Sequence, residues 1–433
     1  MPMRTKSREA SRDVLLTNCA EIVTLRGPAP RRGGALSELG IFRDGALLIR
    51  NGCIGAIGPR RRIESLSESR RARKIGLGGR VVLPGFVDSH THLIHAASRA
   101  AEYEQRISGA TYEEIARAGG GILSSVRKVR RASPSLLKSR ALAHLAQFAA
   151  HGTTTIEAKS GYGLDWPSER KILLTMRELA REQAVEIIPT FLGAHVLPAE
   201  FRGHEGKSAD AYVDLICREW LPRVAAEKLA EFCDVFCDRG AFTVEQSRKV
   251  LTAARACGLE LRLHAEQLAH TGAAKLAVAL HASSADHLEK VSASDIRALA
   301  HSNVTCTLLP GCCFHLGLAH YAPARRLIDA SAIVALATDF NPGTSPTLSM
   351  PMILSLACTQ MRMTPAEAIA AATINAAYSL GAHERIGSLE VGKFADIAVF
   401  DVADYREIPY HFGVNHCWLT MKRGHIIYSR EQG

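Results

Sequence analysis

No uninterrupted apolar stretch in the 433-residue chain approaches the roughly 20 residues needed to cross a bilayer, so a soluble protein with no membrane partner is expected. Aromatic residues make up only 6%, and none interleaves with the basic runs Arg31-Arg32, Arg60 to Arg62 and Arg70 to Lys74. Without stacking platforms, the formal net charge of +10 argues against nucleic acid as a partner. It reads instead as solvated faces, with a positive field that favours a small anionic substrate. None of the eleven cysteines forms a C-x-x-C pair; Cys233 and Cys237 are four apart, and Cys312 and Cys313 are adjacent. Reduced, buried thiols are therefore expected. Met1 to Arg12 is polar and basic, and the apolar run after it is too short for a secretory leader, which points to the cytoplasm. Gly119-Gly120-Gly121 lacks the Lys-Ser/Thr that a phosphate-binding loop requires, so it reads as a tight turn.

What is present is the balance of a globular protein with a large core: 47% hydrophobic and 22% charged residues. The length exceeds one ordinary domain of roughly 100 to 200 residues, though α/β barrels run longer as single units. Both ends carry short apolar runs broken by turns, such as Ala46-Leu47-Leu48-Ile49 and Ile397-Ala398-Val399-Phe400, with Asn51-Gly52 and Gly45 read as hairpin punctuation. The two ends, 13–83 and 382–430, are expected to pair into one small β-sandwich around a central unit at 84–381.

That central unit alternates strand and helix. Strands are expected over Phe86–Ser89, Thr153–Ala158, Glu186–Phe191, Phe232–Cys237, Glu260–His264, Ser284–His287, Val304–Leu309 and Ile333–Thr338. Helices lie between them: Ser133-Pro134 opens one that ends at His151-Gly152, and Thr243 opens another that ends at Cys257-Gly258. Eight β/α units predict an α/β fold of the (β/α)8 TIM-barrel type, whose chemistry sits at the carboxyl ends of its strands.

Polar residues gather at those ends. Phe86-Val87-Asp88 leads into His90 and His92, which project from one face of a strand because its side chains repeat every second residue. Two imidazoles so placed can converge on one metal ion. Lys159 ends the second strand, His195 follows the third, and His264, His287 and Asp339 end the fifth, sixth and eighth. A single histidine of this kind is more often a satisfied core group; it is their joint placement that points to a metal. His90, His92, His264 and Asp339 form a three-His, one-Asp set suited to one divalent ion, Zn²⁺ or Fe²⁺ (or Fe³⁺).

The stretch Val81 to His92 resembles the metal-binding first strand of the amidohydrolase superfamily. Arg99 to Gly121, RAAEYEQRISGATYEEIARAGGG, is similar to the segment that follows that strand in imidazolonepropionases. Glu157 to Leu164, Phe191 to His195, His264 to Leu268, Asp339 to Pro346 and Tyr410 to Asn415 match in the same order, over nearly the whole chain. The resemblance implies a metal-dependent hydrolase of histidine degradation that opens the cyclic amide of 4-imidazolone-5-propanoate to N-formimino-L-glutamate. It implies His90, His92, His264 and Asp339 as metal ligands, Asp339 also as proton acceptor, and His287 as a catalytic histidine that holds the carbonyl oxygen or relays a proton. It further implies substrate contacts from Arg99, Tyr112, Tyr162, His195, Asn341, Gly343 and Thr344, and a homodimer. A salt bridge from Arg99 to Glu102 or Glu104 is the alternative use of that guanidinium.

Three departures from the family pattern stand out. Gln267 occupies a position that is Glu in some members; it can orient water or substrate but cannot act as a carboxylate base. His95 stands where an aromatic residue is common, and Pro310-Gly311-Cys312-Cys313-Phe314-His315 replaces an apolar-aromatic run, so both bear on the pocket wall. Lys159 invites comparison with the carbamylated lysine of two-metal relatives, but its Lys-Ser-Gly-Tyr context matches the one-metal family. A heteroaromatic deaminase would keep the four ligands without needing Arg99, Tyr162 or the Asn-Pro-Gly-Thr turn. A non-catalytic scaffold would be expected to have lost ligands, and none is lost.

Overall fold

The computed structural model describes residues 13–110, 114, 119–202 and 208–432. Eight parallel strands form one sheet in strict sequence order: β5 (Phe86–Asp88), β6 (Thr153–Lys159), β7 (Glu186–Ala194), β8 (Phe232–Cys237), β9 (Glu260–Ala265), β10 (Ser284–His287), β11 (Thr305–Leu308) and β12 (Ile333–Leu336). Each coincides with an expected strand to within a few residues. The circle closes just beyond β5 and β12, where Thr91 pairs in parallel with Phe340. There the Asp339 amide donates to the His90 carbonyl at 3.0 Å, and the His92 amide donates to the Phe340 carbonyl at 2.8 Å. The result is the (β/α)8 barrel.

The helices begin where local chemistry starts them. Ser133 Oγ accepts from the Leu136 amide at 3.2 Å ahead of Pro134–Ala150, and Thr243 with Gln246 closes a capping box ahead of Val244–Ala256. Each such cap is worth about 1 kcal/mol. Helix residues Leu137, Leu145, Phe148, Ile172, Leu173 and Met176 are buried in the core that surrounds the strands.

The chain ends combine in a second sheet of seven strands, with β1 (Val14–Val23), β2 (Ile41–Arg50), β3 (Cys53–Pro59) and β4 (Arg73–Pro84) from one end. β13 (Ile397–Phe400), β14 (Cys417–Lys422) and β15 (His425–Ser429) come from the other. β4 pairs with both β1 and β13, which joins the two ends. Alternate residues then serve two cores. Val81, Leu83, Ala398 and Phe400 join the barrel core, whereas Val82, Ile397, Val399 and Leu419 join Leu16, Leu47 and Ile49 in a cluster that belongs to the sheet. Asn51 and Gly52 turn β2 into β3 with positive φ at both positions. Gly45, in contrast, makes no turn: it lies inside β2 opposite Cys19, at a shift of register, and the Ile22 side chain fills the space its Cβ would take.

Candidate metal centre

His90, His92 and His264 each bring a ring nitrogen to within 4.8 Å of the others, and His90, His287 and Asp339 form a second such group. His90 Nε2 lies 3.6 Å and His92 Nε2 3.7 Å from Asp339 Oδ1. All of these side chains are buried. The closing seam of the barrel explains the convergence: the backbone bonds between 90–92 and 339–340 place two histidines and the aspartate side by side, and β9 delivers His264 from across the barrel. Asp339 and His287 both adopt positive φ, at 53° and 82°, a conformation uncommon outside glycine and held here by the surrounding structure.

The imidazoles are oriented from behind. His90 Nδ1 donates to Asp286 Oδ2 at 2.7 Å, which leaves the lone pair of Nε2 facing Asp339; that buried nitrogen has no hydrogen-bond partner. Asp234 Oδ2 stands 3.0 Å from His264 Nδ1, and Asp234 Oδ1 accepts from the His264 amide at 3.2 Å. Burial, with Lys159 and His264 nearby, holds the His90 pKa well below the ordinary imidazole value; burial and the neighbouring His195 do the same for His92. Both are therefore neutral at pH 7, the state a metal ligand needs. Burial raises the Asp339 carboxyl to about 6, with His287 and His264 acting in the opposite sense. Burial opposes charge on His287, but Glu289, with Oε1 3.5 Å from Nδ1, acting together with Asp339 and Asp286, raises the pKa on balance.

Around this centre the other expected residues take varied positions. His195 stacks on His92 at 5.1 Å between ring centroids, with Nδ1 donating to the Gly161 carbonyl at 3.0 Å; Tyr162 lies 5.6 Å from both rings. Asn341 organises its own turn: Oδ1 accepts from the amides of Gly343 at 2.8 Å and Thr344 at 2.7 Å, and Nδ2 donates to the Asp339 carbonyl at 2.7 Å. The Arg99 guanidinium packs so closely on Gly343 that a Cβ there would collide with it. Arg99 Nε and Nη2 both donate to Glu102 Oε2, at 2.9 and 2.6 Å, and Glu102 Oε2 also accepts from the Gly121 amide. Gln267 Nε2 points to Cys312 Sγ at 3.6 Å. Cys313 Sγ lies 3.5 Å from Glu289 Oε1, so the Cys-Cys segment abuts the groups that flank His287. His95 is buried and stacks on His144 at 4.9 Å, beside Phe340. Tyr112 lies outside the described residues.

Comparison with known proteins accords with this geometry. The amidohydrolase family model matches residues 81–427. An imidazolonepropionase of Solibacter usitatus (strain Ellin6076) is 51% identical, with 96% of this chain and 99% of the relative covered. The chain belongs to the amidohydrolase family and, within it, to the imidazolonepropionases. Another imidazolonepropionase, from Geobacillus kaustophilus (strain HTA426), is 46% identical over 96% of this chain and 98% of its own. Among solved structures, an adenosine deaminase from Xanthomonas campestris with bound Zn superposes with a TM-score of 0.70 at 17% identity, covering 96% of this chain and 92% of that one. A triazine hydrolase variant reaches 0.72 at 18%, covering 97% and 96%. These two share the fold of the amidohydrolase.

A divalent metal ion at such a centre fits the donors present: buried neutral imidazoles, one carboxylate, and an orphaned Nε2 on His90 aimed among them. Sequence reasoning did not find the carboxylates that orient the ligands. Asp234 and Asp286, with Glu157 and Arg262, are completely buried polar residues within the barrel strands. Glu289, two residues past His287, was likewise missed. The available signal was polarity at alternate strand positions, Glu157 with Lys159 and Arg262 with His264, which marks the barrel-facing side.

Proposed function

We propose that this imidazolonepropionase hydrolyses the cyclic amide of 4-imidazolone-5-propanoate to N-formimino-L-glutamate in histidine degradation. The observation that carries the reading is the intact convergence of His90, His92, His264 and Asp339, with His287 beside them, in a chain half identical to a named imidazolonepropionase. A divalent cation, Zn²⁺ or Fe²⁺, would be held by those four residues and would supply Lewis acidity, lowering the pKa of a water from about 15.7 to about 7. Asp339, a buried carboxylate beside the histidines, would accept the proton of the attacking water. His287, biased toward its charged form by Glu289, donates to the carbonyl oxygen or passes a proton to the leaving ring nitrogen. His195 and Tyr162 face the imidazolone ring. Arg99, with the Asn341, Gly343 and Thr344 turn and Tyr112, takes the propionate, and Gln267 orients substrate or water without exchanging a proton.

Among the described residues no helix is long and apolar enough to cross a membrane, in keeping with a cytoplasmic enzyme of small-molecule metabolism. A homodimer completes the reading, and the exposed Tyr410, Phe412 and Val414 offer it an apolar face. The test is turnover of freshly generated 4-imidazolone-5-propanoate with the product identified by mass spectrometry. Formation of N-formimino-L-glutamate supports the proposal; ammonia release from a heteroaromatic amine, with no ring opening, would replace it with a deaminase.

A further inference from the structure

The reaction outlined above gives the fully buried Lys159 no task. Lys159, at the end of β6, donates from Nζ to Glu157 Oε1 at 2.9 Å and forms ion pairs with Asp234 Oδ2 at 2.8 Å and Asp286 Oδ2 at 3.7 Å. Each of these carboxylates holds a different piece of the metal centre. Asp286 accepts from His90, and Asp234 stands behind the ring and amide of His264. Glu157 Oε2 accepts from the Thr91 amide at 3.2 Å, between His90 and His92. Arg262 Nη2 reaches the same Asp286 Oδ2 at 3.5 Å and donates to the Ser89 carbonyl at 2.8 Å. All five charged side chains are completely buried.

We propose that Lys159 is a positioning residue: its ammonium ties Asp234, Asp286 and Glu157 into one unit and so fixes the mutual placement of the three imidazoles. As an ammonium paired with three carboxylates, it has no lone pair for a metal or for carbon dioxide, so it acts only through its partners. Outer partners that orient metal ligands typically carry 10- to 100-fold in metal affinity. Lys159 holds several of them at once.

This inference rests on the metal reading above, and the experiment separates the two. Lys159→Met alone strands three carboxylates, whereas the paired change Lys159→Met with Glu157→Gln removes one buried charge of each sign and retains the volume. Each is loaded with Co²⁺, its visible spectrum recorded, and the rate of metal loss to a chelator measured, with circular dichroism and thermal unfolding as controls for fold. The paired variant is expected to fold, to lose Co²⁺ at least tenfold faster than wild type, and to show a shifted ligand-field band. A folded paired variant with the wild-type rate and spectrum overturns the proposal. Failure of both variants to fold with Co²⁺ in excess also overturns it, by making Lys159 a folding residue. Wild type that binds no Co²⁺ would instead overturn the metal centre itself.

Discussion

The backbone amide of Asp339 donates to the carbonyl of His90 at 3.0 Å, so the bond that helps close the barrel also sets one metal-ligand candidate against another. Fold closure and site assembly are thus the same event. Asp88 secures the seam from within: its Oδ2 accepts from Thr338 Oγ1 at 2.5 Å and its Oδ1 from the Thr338 amide at 3.0 Å.

The seam yields a stability prediction. Thr338→Val keeps the shape but removes the hydroxyl that donates to Asp88 and accepts from the Phe340 amide. Leaving buried polar groups without a partner costs about 1–3 kcal/mol. Urea unfolding of the metal-free variant should show a loss of that size, and an unchanged midpoint would mean that the seam does not depend on this contact.

His287 lies within ligand reach of His90 and Asp339, yet the account keeps it out of the ligand set. His287→Ala should retain one metal per chain by elemental analysis and lose turnover by about 10²- to 10⁴-fold, the usual worth of a positioned acid or base. Loss of the metal in this variant would make His287 a ligand.

Arg99 presents two edges, one bonded to Glu102 and the other packed on Gly343. If the second edge meets the propionate, kcat/KM should fall in the order Arg, Lys, Met, by about 2–5 kcal/mol of transition-state stabilisation for Met. Metal content should not change. An analogue with a neutral amide in place of the propionate should be rejected strongly by wild type and weakly by Arg99→Met. Unaltered preference in the variant would leave Arg99 as the salt-bridge partner of Glu102 alone.

Burial, with His264 nearby, holds buried His195 at about 3, against 6.5 in an unfolded chain. Between those values the unfolded state binds a proton that the folded state does not, so native stability falls as pH drops from 6.5 toward 3. The contribution approaches about 1.4 kcal/mol per pH unit. His195→Gln keeps a donor for Gly161 and removes the titration. Metal-free wild type should therefore lose stability relative to this variant between pH 7 and 5 in urea unfolding. A pH-independent difference would contradict the shift.

The sequence exposed the barrel through eight short β-rich runs spaced by capped helices, and it exposed the ligands because His90, His92, His264 and Asp339 all fall at strand ends. The carboxylates behind them stayed hidden because Asp234 sits among apolar neighbours in β8, and Asp286, next to His287, gives no local sign that it pairs with His90. Which end of a barrel-facing row bonds which ligand depends on register between strands, such as Asp286 beside His264, and that is a tertiary fact. Gly45 was misread for a related reason: a glycine in a strand looks like a turn until the neighbouring Ile22 is seen to occupy its side-chain space. The contact of Gln267 with Cys312 joins distant segments, and no local pattern encodes it.

One cation, held by His90, His92, His264 and Asp339, is expected to be required for ring opening. Metal-stripped protein titrated with Zn²⁺, and separately with Fe²⁺ under anaerobic conditions, while turnover of 4-imidazolone-5-propanoate is followed, tests it most directly. The account predicts negligible activity at the start and a rise with at least one of these metals that breaks at one equivalent per chain. Full activity without metal, or a break at two equivalents, would contradict it.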